Sequence, residues 1–457
     1  MSIITTIYDK CPIFLQNIMI SSAGYLYNRN RYGRKYYEHL QFLNEFDKYS
    51  REQQQEYQNN ELGKFINYAV THSKFYRGLY KNVDISTIKT IEDLKKLPIV
   101  DKEILRENIS DIYTTKTSYV ESHTGGTTGK SLVVRFTSED MMKHMAVLDH
   151  FKKRHGFISL QMKRATFNGK HIVPPSQRAK KFWRYNAACK QMIFSSFHIT
   201  EKNIPYYIEE LNRFQPQAID GFFTSICDVA SYAERHNMAF TFMPVAIFPT
   251  SETVTESGRA LLERVFKAKV YNQYASSEGA PFITDCPGQK LHIEMCTGVF
   301  EHFKENSNEV LVTSFHTYGT PLIRYRIGDN IVFEDIKMKC SCGLKSPCVQ
   351  NIEGRSLDFL YTPEGAKINS GNVANLFKNM PNVVIKSQIL QEKINEIVIL
   401  MEVDKSKYKK TFDDLLKNEV EHKFGKKMNV IIKHVDNIPK AKSGKSQFII
   451  NRIAMEQ

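Results

Sequence analysis

The sequence has no apolar run approaching the roughly 20 residues that a membrane-spanning helix requires. It contains only eight cysteines and one tryptophan in 457 residues. We see no secretory signal, and the mean hydropathy is −0.40. These absences argue against an integral membrane protein and against a disulfide-stabilised secreted scaffold, and they predict a cytoplasmic, reducing environment. Clustered cysteines are then interpreted as metal ligands before disulfides.

Nucleic-acid-binding motifs are also missing, although 63 Lys and Arg against 49 Asp and Glu give a net charge of +14. Basic and acidic residues are interspersed along the chain, which is typical of a solvated surface. Such a surface suits anionic small molecules, namely nucleotides and CoA-like thiols, or acidic lipid headgroups. We therefore expect no nucleic-acid partner.

The N-terminus combines a largely apolar stretch, residues 11–20, with a basic, tyrosine-rich stretch, residues 27–37. This pair can lie on a membrane surface as a peripheral contact. A helix packed on its own domain has the same pattern, so both interpretations stay open. The sequence does not indicate an oligomeric state.

The most informative stretch is Ser122–Ser131, which holds three glycines, three threonines, two serines and a lysine. Backbone N–H groups freed by glycine, hydroxyls and a lysine are the donors that hold polyphosphate. A Walker A loop would need glycine where Thr124 stands and would open a helix, whereas β-prone residues flank this loop on both sides. We predict a phosphate-binding flap between two strands, the alternative being a simple glycine-rich turn. Its candidate ligands are Thr124, Gly125, Gly126, Thr127, Thr128, Gly129 and Lys130.

The pattern of the chain predicts an α/β fold with two domains. Residues 1–90 are predicted to be helical, with Asp101 capping a later helix, and residues 138–250 alternate helices and strands. Strands at 218–223, 245–249 and 269–274 run into loops, and the last two end in small polar residues, Thr250–Glu252 and Ala275–Gly279. Such turns form a ligand cleft at the carboxyl edge of a parallel sheet.

After Gly354 and Arg355 the chain becomes lysine-rich. We predict strands at 383–390, 396–402 and 429–435 and a helix at 405–424, which make a small α+β domain. The predicted division is residues 1–354 for a large N-terminal domain and residues 355–457 for the C-terminal domain.

Five short motifs follow one another in a fixed order along the chain. They are Thr124–Lys130, Tyr274–Glu278, Tyr325–Asp329, Gly354–Asp358 and Pro439–Lys445. The series resembles the core motifs of the adenylate-forming ligases, which include acyl-CoA synthetases, adenylation domains and luciferases. Within that superfamily the chain looks most like the phenylacetate–CoA ligase and CapK-like branch, over residues 101–457.

The resemblance implies ATP and Mg²⁺ as cofactors and assigns roles to particular residues. Lys130 and its loop would hold the β- and γ-phosphates, Glu278 would bind Mg²⁺, and Asp329 would accept hydrogen bonds from the ribose hydroxyls. Lys445 would neutralise charge at the α-phosphate and the substrate carboxylate. Further nucleotide contacts are implied for Ser251, Glu252, Tyr274, Ser277 and Arg355. Taken singly, each of these is equally an ordinary surface or turn residue.

In this superfamily the small C-terminal domain is mobile and rotates between half-reactions, so Lys445 would enter for adenylation and leave for transfer. The family often has two acidic residues in its hinge motif. Here Leu357 precedes Asp358, which leaves the hinge residue open.

Two pairs of soft or borderline ligands predict a structural Zn²⁺ site: Cys286 with His292, and Cys340 with Cys342. Cys296 and Cys348 compete as ligands, and unliganded cysteines in loops are the alternative. Some members of the resembled branch have a structural zinc with a similar layout. For the acyl pocket, residues bordering the proposed cleft are candidates, although aromatics there more often belong to the core: Phe222, Phe223, Trp183, Phe197 and His198.

Three classes of function remain from the sequence. The first is an ATP-dependent ligase that activates a small carboxylic acid and transfers the acyl group to CoA or to a sugar-type acceptor in surface polysaccharide biosynthesis. The second is a catalytically silent scaffold of the same fold, suggested by the missing hinge acid. The third is a P-loop NTPase.

Overall fold

The N-terminal part of the chain is helical, as the sequence predicts. The computed structural model describes residues 3–117, 119–123, 132–174, 177–305, 307–334, 340–353, 359–369, 372–373, 375–377, 380, 383–403, 405–436, 438 and 448–453. The first helices are α1 (Ile3–Lys10), α2 (Ile13–Arg31), α3 (Arg34–Phe46), α4 (Arg51–His72), α5 (Lys74–Leu79), α6 (Lys102–Glu107) and α7 (Ile109–Ile112).

Side-chain caps determine where several of these helices begin. Ser50 and Gln53 form a capping box at α4, in which each side chain accepts from the other residue's backbone N–H. The predicted cap of α6 is confirmed, because Asp101 Oδ1 accepts a 2.9 Å hydrogen bond from the Ile104 N–H. Within the described residues, no helix combines the length and apolarity needed to cross a bilayer.

The α/β part is a five-stranded sheet with helices on both faces. Its spatial order is β4 (Trp183–Asn186), β5 (Gln191–Ser195), β3 (Arg164–Asn168), β6 (Ala218–Phe222) and β7 (Ala246–Thr250). All are parallel except β4. Alternate side chains of a strand point to opposite faces of the sheet. On one face, Ile219 and Ile247 pack with three helices, α9 (Ile204–Phe214), α10 (Phe223–Arg235) and α11 (Glu256–Phe266). On the other face, Phe248 packs with Phe151 of α8 (Ser138–Arg154).

A hairpin and a seven-stranded antiparallel sheet complete the large domain. The hairpin pairs β1 (Tyr119–His123) with β2 (Val133–Thr137). The sheet has the order β11 (Gly298–His302), β12 (Glu309–Ser314), β13 (Leu322–Phe333), β14 (Cys348–Glu353), β10 (Leu291–Ile293), β9 (Ile283–Asp285) and β8 (Gln273–Tyr274).

The smaller C-terminal domain is α+β, as predicted. It contains the hairpin β15 (Phe359–Tyr361) and β16 (Lys367–Asn369), and a sheet of order β19 (Asn429–His434), β18 (Glu396–Val403), β17 (Val384–Lys393) and β20 (Ile449–Asn451). Its helix α12 is Thr411–Phe424, which buries Leu416, Val420 and Phe424. The predicted boundary at residue 354 stays a prediction, because residues 354–358 lie outside the described part.

Three sequence-based assignments of secondary structure are wrong in detail. The strand predicted at 218–223 does not include Phe223 or run into a loop, because β6 ends at Phe222 and α10 begins at Phe223. Residues 269–274 do not form one strand, since Val270 makes a single bridge to Ile247 while β8 joins the antiparallel sheet. The helix predicted at 405–424 begins only at Thr411. Of the alternatives for Asp329, a turn residue is excluded, because Asp329 lies within the long strand β13.

Candidate active site

The β1–β2 hairpin carries the predicted phosphate-binding loop. His123 pairs with Val133 at the end of the hairpin next to the loop, so the loop between them joins two strands as predicted. Thr124 to Gly129 and Lys130 themselves lie outside the described residues, and so do Arg355 and Lys445. Their roles stay predictions.

Strand β2 is attached firmly to the antiparallel sheet. The Arg135 N–H donates to Thr320 Oγ1 at 2.7 Å, and that hydroxyl donates to the Arg135 carbonyl at 3.0 Å. At Gly319 a Cβ atom would approach the Arg135 carbonyl oxygen to 2.3 Å, so a side chain does not fit there. The base of the hairpin therefore has a fixed position relative to the sheet.

Glu278 lies in a tight turn that packs against the same hairpin. Gly279 has φ of +90°, and a Cβ there would come within 2.7 Å of the Phe136 ring on β2. The turn is closed by Ser276, whose carbonyl accepts from the Gly279 N–H and whose hydroxyl accepts from the Ala280 N–H. Ser277 is part of this turn. Glu278 is thereby held at the foot of the hairpin.

Lys102 approaches Glu278, with 3.9 Å between Lys102 Nζ and Glu278 Oε1. The segment before α6 runs beside β13, because the Val100 N–H donates to the Arg324 carbonyl and the Arg326 N–H donates to the Val100 carbonyl. This places the first residue of α6 near the turn. Sequence reasoning missed Lys102, and the only local signal is its position directly after the predicted cap Asp101.

Tyr274 and Asp329 meet although they belong to different motifs. The Tyr274 hydroxyl donates to Asp329 Oδ2 at 2.8 Å. Strands β8 and β13 are four positions apart in the sheet, which would be about 19 Å in a flat sheet with 4.7–4.9 Å between strands. The sheet therefore curls strongly, and its curl joins two predicted nucleotide-binding residues.

Glu252 has a structural partner. Its carboxylate accepts from the Thr224 N–H at 2.7 Å and from the Thr224 hydroxyl at 2.9 Å, which stabilises the first turn of α10. The neighbouring Ser251 has φ of +66°. Gln273 Nε2 donates to the Pro249 carbonyl at 3.3 Å, so the ends of β6, β7 and β8 lie together as the predicted cleft requires.

The aromatic candidates for the acyl pocket divide between core and edge. Trp183 and Phe223 belong to the core below α9, α10 and α11, and Phe197 packs with the C-terminal domain. His198 stacks on Phe182 and shares a 2.8 Å hydrogen bond with the Ser195 hydroxyl; burial lowers its pKa to about 4. Phe222 is half-buried at the end of β6. The three buried aromatics, Trp183, Phe197 and Phe223, are a poor match for a solvent-connected pocket.

The four predicted zinc ligands form one cluster. Their ligand atoms lie within 4.8 Å of one another. Cys286 Sγ and Cys340 Sγ are 3.7 Å apart, and Cys342 Sγ lies 3.5 Å from His292 Nε2. Tetrahedral zinc, with Zn–S of about 2.3 Å and Zn–N of about 2.0–2.1 Å, separates two sulfurs by about 3.8 Å and a sulfur from a nitrogen by about 3.6 Å. The residues therefore fit the metal.

The surroundings of the cluster also suit a metal site. His292 Nδ1 lies 3.1 Å from the Ser346 carbonyl, to which it can donate, so that Nε2 is the free ligand atom. Three of the four predicted ligands are sulfurs that also face a backbone N–H group. The Gly288 N–H is directed at Cys286 Sγ, the Cys342 N–H at Cys340 Sγ, and the Leu344 N–H at Cys342 Sγ.

Of the two competing cysteines, Cys296 is buried in the core between the helices and the antiparallel sheet. It is not a ligand in this arrangement. Cys348 Sγ lies 3.5 Å from His292 Nε2 because the two residues are register partners on β14 and β10. It does not belong to the group whose ligand atoms all approach one another.

Comparison with known proteins supplies the family. A family model described as the CapK C-terminal domain matches residues 360–452. Protein CapK of Staphylococcus aureus is 37% identical over 451 residues, which cover 98% of this chain and 99% of that protein.

Solved structures of 2-hydroxyisobutyryl-CoA ligase share the fold. The one in the postadenylation state with R3-HIB-AMP superposes with a TM-score of 0.55 at 15% identity, covering 88% of this chain and 90% of that chain. The one with 2-HIB-AMP and CoA in the thioesterification state gives 0.55 at 17% identity over the same shares. The chain therefore belongs to the CapK family, as its resemblance to the CapK-like branch predicts, and it has the fold of these CoA-ligase structures.

Proposed function

We propose that this protein is an AMP-forming ligase that activates a small carboxylic acid with ATP. One carboxylate oxygen attacks the α-phosphorus of ATP, pyrophosphate leaves, and an acyl-adenylate remains. An acceptor then attacks the acyl carbon and releases AMP. The observation that carries the proposal is the Tyr274–Asp329 hydrogen bond, since it joins two motifs of the series beside the hairpin.

The charges around this site suit the first step. Carboxylate and ATP are both anions, so catalysis depends on positioning and on neutralising charge. Glu278 provides an oxygen ligand for Mg²⁺, a hard cation, and the net charge of +14 favours anionic substrates. Lys102, 3.9 Å from Glu278, adds a cation at the same place.

CoA is the acceptor that we favour. The structural neighbour is described as a CoA ligase with an acyl-AMP and CoA bound, and the present chain has the same fold over most of its length. CoA and ATP are cytoplasmic metabolites, so this acceptor agrees with the predicted location. An amine or hydroxyl of a sugar precursor for a surface polysaccharide is the second candidate, supported by full-length kinship to CapK.

Pyrophosphate exchange with a panel of carboxylic acids tests the proposal. We expect radiolabelled pyrophosphate to enter ATP only when the right acid is present, and AMP to be the product once an acceptor is added. No exchange with any aryl, fatty or amino acid would favour a silent scaffold. ADP and phosphate formed without an acid would indicate a P-loop NTPase.

Asp329 and Tyr274 give a graded prediction for ATP affinity. Asp329→Asn removes a charged acceptor whose hydrogen bonds contribute about 1.5–3 kcal/mol, so the Kd for ATP should rise by about 10-fold to 100-fold. Tyr274→Phe removes one neutral donor and should raise it by about fivefold. Titration calorimetry measures both without knowledge of the acid.

Asp436→Asn is the matched control for Asp329→Asn. Its side chain is 87% exposed and pairs with Lys405 in the C-terminal domain, so ATP binding should not change. If Asp329→Asn and Tyr274→Phe both bind ATP with wild-type affinity, the Tyr274–Asp329 hydrogen bond is not part of an ATP site. The proposal would then lose its main support.

We also propose that α2 contacts an anionic membrane surface. Its outer face exposes Phe14, Ile18 and Tyr25 by 55–63%, at spacings of four and seven residues that align them on a helix. Arg29 is exposed on the same side, since it follows Tyr25 by four residues. An exposed apolar face with basic flanks is the pattern of an interfacial helix.

Vesicle binding checks this contact. The double variant Phe14→Ser, Ile18→Ser should lower sedimentation with anionic vesicles by about tenfold, because each removes an apolar side chain from the interface. Met243→Ser with Val245→Ser is the control, since these two residues are also exposed but lie far along the chain. Equal binding to neutral and anionic vesicles, or none, would refute the contact.

A further inference from the structure

A second group of metal-ligating side chains lies where three parts of the chain meet. Asp9 is at the end of α1, His171 follows β3, and His422 is on α12 of the C-terminal domain. Their ligand atoms all lie within 4.8 Å of one another. The sequence gives no hint of this group, because its members are separated by 162 positions or more along the chain.

The distances within the group are close to those around a bound ion. His171 Nε2 lies 3.0 Å from Asp9 Oδ1, and His422 Nε2 lies 3.9 Å from Asp9 Oδ2. An ion with bonds of about 2.0–2.2 Å to nitrogen and oxygen holds neighbouring ligand atoms about 2.9–3.6 Å apart, depending on its geometry. The Asp9–His171 distance lies in that range, and the Asp9–His422 distance exceeds it by a few tenths of an ångström.

His422 has an unsatisfied nitrogen that faces this point. Within the described residues, His422 Nε2 is buried and has no hydrogen-bond partner, and its side chain is 13% exposed. A buried polar atom of this kind calls for a water or an ion to satisfy it. The imidazoles of His171 and His422 stack with their centroids 3.4 Å apart, which brings both rings beside the same carboxylate.

Hydrogen bonds hold the parts that carry these ligands. The Tyr8 hydroxyl donates to the Ile172 carbonyl at 2.7 Å, and Gln16 Nε2 donates to the Tyr8 carbonyl at 2.9 Å. These bonds fix α1 against the segment that contains His171. On the other side, Lys423 Nζ donates to the Asn375 carbonyl at 2.8 Å, which anchors the turn of α12 that contains His422.

We infer that Asp9, His171 and His422 bind a divalent transition-metal ion, such as Zn²⁺, that bridges the N-terminal helix, the large domain and the C-terminal domain. Two imidazoles and one carboxylate suit Zn²⁺, Co²⁺ or Ni²⁺. Three protein ligands leave at least one position for water, so this ion exchanges more readily than one in a four-ligand structural site. The site is independent of the proposed ligase activity.

The ion would restrain the C-terminal domain. His422 belongs to α12, whereas Asp9 and His171 belong to the part of the chain that precedes that domain, so any movement of α12 away from α1 breaks the coordination. Metal bound here stabilises the arrangement seen in this structure by mass action. The competing explanation is a simple Asp9–His171 ion pair beside a stacked imidazole, and it predicts no bound metal.

Metal content of the full-length protein tests the inference. After equilibration with Zn²⁺ and removal of loosely bound ions, we expect two zinc ions per chain in the wild type, one in His422→Gln and one in Asp9→Asn. These two variants change opposite sides of the site, so a folding defect in one leaves the other informative. Cys342→Ser should also retain one ion, which is the one held by Asp9, His171 and His422.

His434→Gln is the matched control. His434 Nε2 lies 2.9 Å from Asp413 Oδ1 in the same domain, and among the described residues no third ligand joins that pair. Two ions should remain. As a second readout, Zn²⁺ should slow amide hydrogen exchange in α12 of the wild type but not of His422→Gln. Whatever the zinc content of the wild type, the same content in both His422→Gln and Asp9→Asn would overturn the inference.

Discussion

Replacing Lys445 with alanine is expected to slow pyrophosphate exchange by about 10²–10³-fold. The proposed reaction builds up negative charge on the α-phosphate and on the attacking carboxylate, and removing one donor directed at such charge typically costs this much in kcat. Because the contact forms in the transition state, the affinity for ATP should change little. The variant is measured with whichever acid supports exchange in the wild type.

The position of Lys445 in the small domain gives a second, sharper expectation. If this domain presents the lysine only for adenylation, transfer from a pre-formed acyl-adenylate to the acceptor should proceed at the wild-type rate. Lys442→Ala is the matched control, because it removes the same charge from the same stretch and should leave both steps intact. Equal losses in the two half-reactions would show that Lys445 acts otherwise, for example in folding.

Much of the framework could be predicted from the sequence because it depends on local patterns. The strands on both sides of the Ser122–Ser131 loop, the cap at Asp101 and the three predicted strands of the C-terminal domain are as expected. The cluster of Cys286, His292, Cys340 and Cys342 was predictable for the same reason, since two short pairs of cysteine and histidine residues are recognisable by spacing alone. The structure then brings the pairs together.

What could not be predicted depends on contacts between distant segments. The resemblance implies a nucleotide contact for Glu252, which stays a prediction, and nothing in the sequence indicates that its carboxylate holds Thr224, 28 positions earlier in the chain. That contact depends on the start of α10, which the sequence places beyond a loop and the structure places directly after β6. A carboxylate near a helix N-terminus is an ordinary stabilising arrangement, but the sequence gives no sign of it unless the start of the helix is known.

The curl of the seven-stranded sheet is the largest feature that the sequence leaves open. Tyr274 and Asp329 are 55 positions apart, and the sheet order that brings them together is set by pairings between strands that are not neighbours in the chain. Strands β14, β10 and β9 lie between them. The predicted zinc ligands lie on or beside these same strands: His292 is in β10, Cys286 follows β9, and Cys342 precedes β14. The predicted ion is thus placed to stabilise the curl.

Loss of the ion is therefore expected to affect both stability and nucleotide binding. Cys342→Ser should bind one zinc fewer and lower the melting temperature by about 10 °C. That shift corresponds to about 3–5 kcal/mol in a large domain, a cost in keeping with structural zinc, whose binding contributes directly to folding. Without the ion, β9, β10 and β14 are no longer tied together at the cluster and depend on their own pairing there. The contact between Tyr274 and Asp329 should loosen, so the affinity for ATP should fall as well, although neither residue is changed.

Two further cysteine variants distinguish the zinc site from a general effect of losing a thiol. Cys11→Ser removes a partly exposed cysteine outside the group, and it should keep its zinc, its melting temperature and its affinity for ATP. Cys348→Ser tests whether Cys342 or Cys348 is the fourth ligand. The two sulfurs are equally close to His292 Nε2, at 3.5 Å. If Cys348→Ser loses the ion and Cys342→Ser keeps it, Cys348 is the fourth ligand. If neither variant nor Cys340→Ser changes the zinc content, the cluster does not bind zinc, and the curl of the sheet must depend on its strand pairing and core alone.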